Sequence, residues 1–182
     1  MQKRLIFDSL QLEVTISRLS QQLIENHGMF EDTVILGMQP RGIFLAERIK
    51  GKLEKILKKD IHLGYLDTTF YRDDFRRRDS PLKANATKVP FIIEDKKVIL
   101  IDDVLYTGRT VRAALDAMIA FGRPKKVELL TLVNRKYSRD LPIEADYIGR
   151  DVHTTLMQRV LVEWKEQGAE NDNIWLININ EE

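Results

Sequence analysis

The sequence predicts an α/β fold, a twisted and mainly parallel sheet flanked by helices on both faces, with a small antiparallel addition toward the C-terminus. Three observations predict it. Short apolar runs of strand length recur at residues 33–38 (TVILGM), 61–66, 97–101 (KVILI) and 126–133. The stretches between several of these runs return to a helical period. The runs are also nearly continuous in apolar character, which is how strands buried on both faces read.

Taken in order, residues 8–26 place Leu10, Leu12, Ile16, Leu19, Leu23 and Ile24 near one helical face, with Asp8 or Ser9 as N-cap and Gly28 as the stop. After the strand at 33–38, the segment from Gly42 (GIFLAERIKGKLEKIL) resumes helical period. Past the strand at 61–66, TTFYRDDFRRRDSPLKANATK is polar, charged and punctuated by Ser80, Pro81 and Asn85, and reads as an exposed mobile arm. The run at 97–101 is the strongest buried-strand signal. A tight polar loop and a helix from Arg109 to Phe121 follow, stopped by Gly122 and Pro124. Beyond the strand at 126–133 the rhythm changes: residues 147–149, 155–164 and 173–179 are strand-like, with alternation at Val160, Val162 and Trp164, and are expected to form antiparallel edge structure.

Composition narrows the function classes. The 182 residues, 43% of them hydrophobic, suit one globular domain spanning 1–182. A net charge of +1 gives no overall field to gather nucleic acid or an anionic membrane, so any affinity for polyanions rests on local patches. The absence of cysteine excludes disulfides, thiolate metal sites and a cysteine nucleophile. His27, His62 and His153 lack metal-ligand spacing. No run approaches the ~20 apolar residues that span a bilayer, and a cytoplasmic location is expected.

Residues 98–110 read VILIDDVLYTGRT: a buried strand, the adjacent acids Asp102 and Asp103, a short insert, then Thr107, Gly108, Arg109 and Thr110 opening a helix. In open α/β sheets ligands sit beyond the carboxyl ends of the strands, where these polar residues fall. The turn and helix N-terminus offer backbone N–H groups and threonine hydroxyls to a phosphate, and Gly108 permits close approach. Two carboxylates would repel that phosphate but suit ribose hydroxyls and the hydration shell of a magnesium ion. Helix capping is the plainer alternative, although one residue would suffice for it. The chain has neither a Walker lysine loop nor a GxGxxG turn.

This segment resembles the thirteen-residue signature with which type I phosphoribosyltransferases bind 5-phosphoribosyl-1-pyrophosphate (PRPP). The likeness extends over most of the chain and is to the bifunctional pyrimidine operon regulator and uracil phosphoribosyltransferase family. Residues 37–46, GMQPRGIFLA, resemble the family's pyrophosphate loop, which implies that Gln39, Pro40, Arg41 and Gly42 grip pyrophosphate. Pro40 makes a cis peptide after Gln39 far less costly than a non-proline one. Residues 66–75, LDTTFYRDDF, resemble the start of the family's flap, here about 68–90, which implies that Tyr71 and Arg72 approach PRPP on closure. Arg76, Arg77 and Arg78 read more simply as a solvated charge run. Residues 139–152, RDLPIEADYIGRDV, resemble the hood over the nucleobase, contributed by about 139–182, with main-chain groups around Ile148 and Gly149 set to pair with the base. The likeness of residues 170–177 to the family's final strand carries no assignable chemistry.

The resemblance implies a uracil phosphoribosyltransferase of pyrimidine salvage that joins uracil to PRPP with Mg2+, giving UMP and pyrophosphate. Arg41, Asp102 and Asp103 would carry catalysis, with the metal held indirectly through PRPP and water near the two aspartates. Purine-salvage relatives carry an aspartate where this chain has Tyr106, and a tyrosine is a poor base near neutral pH. The family also implies a homodimer or larger homo-oligomer, and an alternative role as an attenuation regulator that binds messenger RNA in response to uridine nucleotides. Arg139 and Arg150 fall at its basic RNA-facing positions, whereas Glu144 stands where arginine is common.

Overall fold

A computed structural model describes residues 3–73, 84–155 and 157–178. Residues 1–2, 74–83 of the arm (Arg76, Arg77 and Arg78 among them), 156 and 179–182 lie outside them.

Among the described residues, β2 (Thr33–Met38), β3 (Leu63–Leu66), β4 (Lys97–Leu105), β5 (Lys126–Lys136) and β6 (Tyr147–His153) form a sheet in the order β3-β2-β4-β5-β6. Every pairing in it is parallel. Period-two alternation then divides the apolar runs between two cores. Ile35, Ile99 and Ile101 pack with α1 (Ser9–His27) and α2 (Gly42–Leu57) on one face. Val34, Leu36, Val98 and Leu100 pack with α3 (Arg109–Met118) on the other.

Local chemistry sets the boundaries. Asp8 and Gln11 form a reciprocal capping box on α1, in which the Gln11 N–H donates to Asp8 Oδ1 over 2.7 Å. The Gly28 N–H closes the helix on the Ile24 carbonyl at 2.8 Å. A 3-10 turn over Ile119–Phe121 completes the helical segment expected to run to Phe121.

The C-terminal part departs from expectation in two ways. Residues 147–149, expected within antiparallel edge structure, begin β6, which pairs parallel to β5 as the fifth strand of the main sheet. The antiparallel sheet comprises β7 (Gln158–Glu163) and β8 (Asn173–Asn178) together with β1 (Lys3–Phe7), in the order β1-β8-β7. β1 was not foreseen, because only its pairing with a strand some 170 residues away makes KRLIF a strand. Phe7, Val162, Trp164 and Ile174 join the same apolar cluster as α1 and α2, so this small sheet is cemented onto the main one. No described helix is long and apolar enough to cross a membrane.

Candidate active site

The chain leaves β2 toward α2 and leaves β4 toward α3, on opposite faces, so the two loops diverge and open a crevice at the carboxyl ends of these neighbouring strands. Gly42 fits the first loop tightly over β4. A Cβ there would stand 2.4 Å from the Ile101 carbonyl oxygen and 3.2 Å from Asp102 Oδ1. The Gln39–Pro40 bond is cis. The Gln39 N–H donates to the Leu66 carbonyl at 2.9 Å, and its side-chain amide donates to the Ala86 carbonyl at 2.8 Å. Arg41 spans the gap to the small sheet, donating to the Val162 carbonyl at 2.6 Å while its Nε lies 3.7 Å from Asp103 Oδ2.

β4 runs on to Leu105, so Asp102 and Asp103 belong to the end of the strand and not to a loop after residue 101. The Asp103 N–H donates to Asp102 Oδ1 at 2.9 Å. Burial pushes the Asp102 carboxyl well above the usual carboxylate range, and the neighbouring Asp103 charge pushes it further. Burial also raises Asp103, with Arg41 offsetting part of the effect. Two adjacent acids, Asp103 buried and Asp102 half-buried, with so little compensating charge suit added positive charge or hydroxyl donors.

The turn after β4 brings Thr107, Gly108, Arg109 and Thr110 to the same crevice. Gly108 has φ +89°, a left-handed conformation that favours glycine, and begins α3. The first-turn N–H groups of α3 lack intrahelical acceptors and so offer an anion site. Arg109 projects outward to Asp140 Oδ2 at 3.0 Å and to Asp73. Arg72 donates to the Thr110 hydroxyl at 3.2 Å, while Tyr71 is exposed. Arg41, Arg72, both aspartates and the TGRT turn therefore converge from three separate segments.

The remaining candidates have other neighbours. The Ile148 and Gly149 carbonyls accept from Arg18 of α1 at 3.1 and 2.7 Å, so these two acceptors already have a partner. Arg150 holds the Ile6 carbonyl and stacks 4.2 Å from the Phe7 ring centroid, tying β6 to β1. Arg139 turns into the protein, toward main-chain carbonyls at the ends of β4 and β5. Sequence reading gave Arg135 no place in the phosphoribosyl site. Its guanidinium is buried at the end of β5, 3.7 Å from the Tyr106 ring centroid, and is held by Thr154 Oγ1 at 3.0 Å and the Gln158 carbonyl at 2.8 Å. An arginine ending the apolar run ELLTLVNR, at the carboxyl end of a parallel strand, was the available signal.

Comparison with known proteins gives a consistent family. The family model described as the phosphoribosyl transferase domain matches residues 5–166. A protein of Enterococcus faecalis named bifunctional protein pyrR is 40% identical over 181 residues, covering 100% of both chains. The bifunctional protein PyrR of Elusimicrobium minutum is 40% identical over 179 residues, covering 98% of this chain and 99% of its own. Among solved structures, a hypoxanthine-guanine phosphoribosyltransferase of Bacillus anthracis superposes with a TM-score of 0.71 at 18% identity, covering 96% of this chain and 98% of that one. The hypoxanthine phosphoribosyltransferase of Trypanosoma cruzi gives 0.72 at 11% identity, covering 96% of each, and at such identities the likeness concerns the fold. With matches of this extent, the chain belongs to the phosphoribosyltransferase family, among the bifunctional PyrR proteins.

Proposed function

We propose that this protein is a cytoplasmic uracil phosphoribosyltransferase that converts uracil and PRPP to UMP and pyrophosphate. The observation that carries the reading is the crevice itself: a main-chain anion cradle, two adjacent acids and a fixed arginine, in the order that a phosphorylated sugar with a pyrophosphate leaving group requires.

In this reading the TGRT turn holds the 5-phosphate, and Asp102 and Asp103 hold the ribose hydroxyls. The bond from the anomeric carbon to pyrophosphate breaks with its electron pair leaving on oxygen, uracil nitrogen bonds to that carbon, and the nitrogen's proton passes to solvent. Arg41 and Gly42 steady the departing anion, and the two carboxylates stabilise positive character on the sugar. Closure of Tyr71 and Arg72 over the crevice excludes water that would hydrolyse the donor. No described trio of His, Asp or Glu could hold a metal by itself. A hard-oxygen acid pair does fit a magnesium ion held mainly by donor oxygens and water, and that ion would neutralise charge on the pyrophosphate. Arg135, a buried cation stacked on Tyr106, favours carbonyl oxygens of a base over amino groups and supports a uracil-type acceptor.

The test is to incubate the purified protein with PRPP, magnesium and, separately, uracil, cytosine, hypoxanthine and guanine. UMP from uracil alone is the expected product. Nucleotide from a purine, or none from any base, overturns the reading.

A second reading, regulation by RNA binding, is favoured by the relatives' name, which calls them bifunctional. The intramolecular contacts of Arg139 and Arg150, and the exposed Glu144, weigh against it here. Nucleotide-enhanced, sequence-selective retention of pyrimidine-leader RNA in a salt series would establish it. A homo-oligomer is the expected assembly, to be measured by sedimentation.

A further inference from the structure

The turn that would cradle the 5-phosphate does not support itself. Three residues of it lean on the segment after β5. The Thr107 carbonyl accepts from the Asp140 and Leu141 N–H groups at 3.0 and 3.2 Å. A Cβ on Gly108 would lie 3.3 Å from the Ile143 side chain, so the glycine seats directly on this segment. The Tyr106 carbonyl is held by Arg139, as is the Leu105 carbonyl at 3.4 Å.

The Arg139 guanidinium has partners in every direction. From Nη1 it reaches Leu105, Tyr106 and the Arg135 carbonyl at 3.1 Å, from Nη2 the Asn134 side-chain oxygen, and from Nε the Ile143 carbonyl at 2.9 Å. One planar fork thus joins the end of β4, the end of β5 and the bracing segment. Its donors meet carbonyl oxygens and one amide oxygen, and none of these bonds is to a carboxylate. A lysine has three donors on a point charge and cannot span this set of acceptors.

We infer that Arg139 is a positioning residue of the phosphoribosyl site: it fixes the 5-phosphate turn through the Tyr106 carbonyl and locks that turn to Arg135 on the base side. It touches neither phosphate nor base. The inference deepens the transferase reading and rests on it for the identity of the ligand. The same guanidinium that locates the turn locates the strand end bearing Arg135, so its loss lets the donor and acceptor subsites drift relative to each other. Displacements on the order of 1 Å at such sites cost up to about a hundredfold in rate.

The experiment compares the full chain with Arg139→Lys and Arg139→Ala. The measurements are melting temperature, ribose 5-phosphate affinity by calorimetry, and KM for PRPP and for uracil with kcat. Arg139→Lys is expected to melt near the parent while weakening ribose 5-phosphate and raising both KM values about tenfold or more. Millimolar methylguanidinium is expected to restore affinity partly to Arg139→Ala and not to the parent. A merely structural role lowers the melting temperature and leaves affinity and KM within twofold in the folded fraction, without rescue, and that outcome overturns the inference. The two readings fail separately. Affinity lost in Arg139→Lys of a protein that makes no UMP supports the positioning role and overturns the transferase reading, whereas unchanged affinity in an active enzyme overturns the positioning role alone.

Discussion

Buried carboxylates stand at both ends of the parallel sheet, and their surroundings differ. At the amino end, Glu128 of β5 meets His27 Nε2 at 2.7 Å, the Tyr147 hydroxyl at 3.1 Å and Lys126. The His27 ring continues to Thr33 Oγ1 at 3.2 Å, and Asn26 donates to the Tyr147 hydroxyl at 3.0 Å. Burial alone would raise the Glu128 pKa, but hydrogen bonds from Lys126 and Tyr147 and the His27 charge bring it below the usual value. Tyr147 beside it is pushed up to about 12 by burial and by the Glu128 charge. At the carboxyl end, Asp103 is buried and Asp102 half-buried, and both are raised. Arg41 comes no nearer to Asp103 than 3.7 Å. The first end is an electrostatically finished joint between α1, β2, β5 and β6; the second keeps charge that a ligand would complete.

The sharpest way to break this contrast is to remove a group from the carboxyl end. Asp103→Asn or Arg41→Ala should lower UMP formation by roughly 10²–10³-fold, the size of effect seen when a preorganised electrostatic group is lost. Melting temperature should not fall for Asp103→Asn, whose raised carboxyl costs stability when ionised, and near-normal turnover would void the role assignment.

The mirror experiment acts on the finished joint. Glu128→Gln should cost about 2 kcal/mol, typical for a lost charge-assisted hydrogen bond in a buried setting. That corresponds to a fall of about 4–8 °C in melting temperature for a chain of this size. Turnover at 25 °C should be unchanged.

pH sharpens the contrast further, since the two ends have opposite sign. The Glu128 pKa is depressed in the fold, so it stabilises the protein above its unfolded value of about 4.3 and loses that contribution as pH falls through the folded value. Asp102 is raised, so ionising it costs stability above about 3.9, the cost growing until pH passes its folded value. Asp102→Asn should therefore raise the melting temperature at neutral pH, with a gain that shrinks toward about pH 4. Glu128→Gln should flatten the acid limb of the stability curve. Urea melts across pH 3–8, about the span these groups titrate over, check both signs.

The smallest effect belongs to Arg150, which joins β6 to β1 through the Ile6 carbonyl and the Phe7 ring. Arg150→Ala should lower stability by about 1 kcal/mol and leave PRPP kinetics alone, because it belongs to neither end.

How much of this was legible in the sequence depends on the range of each interaction. The β4 run, its acids, the TGRT turn and the Gly42 loop are contiguous, and short-range chemistry makes them readable. β1 was hidden because its register with β8 exists only after folding. The direction of β6 was hidden for the same reason. Arginines were the hardest to assign. Arg18, Arg135 and Arg139 look like surface cations in sequence, yet each caps carbonyls of distant segments. Charge says little about whether a guanidinium meets solvent, a ligand or the protein's own backbone.

The two aspartates at the end of β4, both with raised pKa and with Arg41 as near as 3.7 Å, keep charge that a donor and its magnesium would complete. Calorimetric titration of PRPP with magnesium in a pH series running down from neutral, in two buffers of different ionisation enthalpy, measures this directly. Binding should release more protons from the parent than from Asp102→Asn, with the parent binding more tightly. Equal affinity and equal proton release in the two proteins would contradict it.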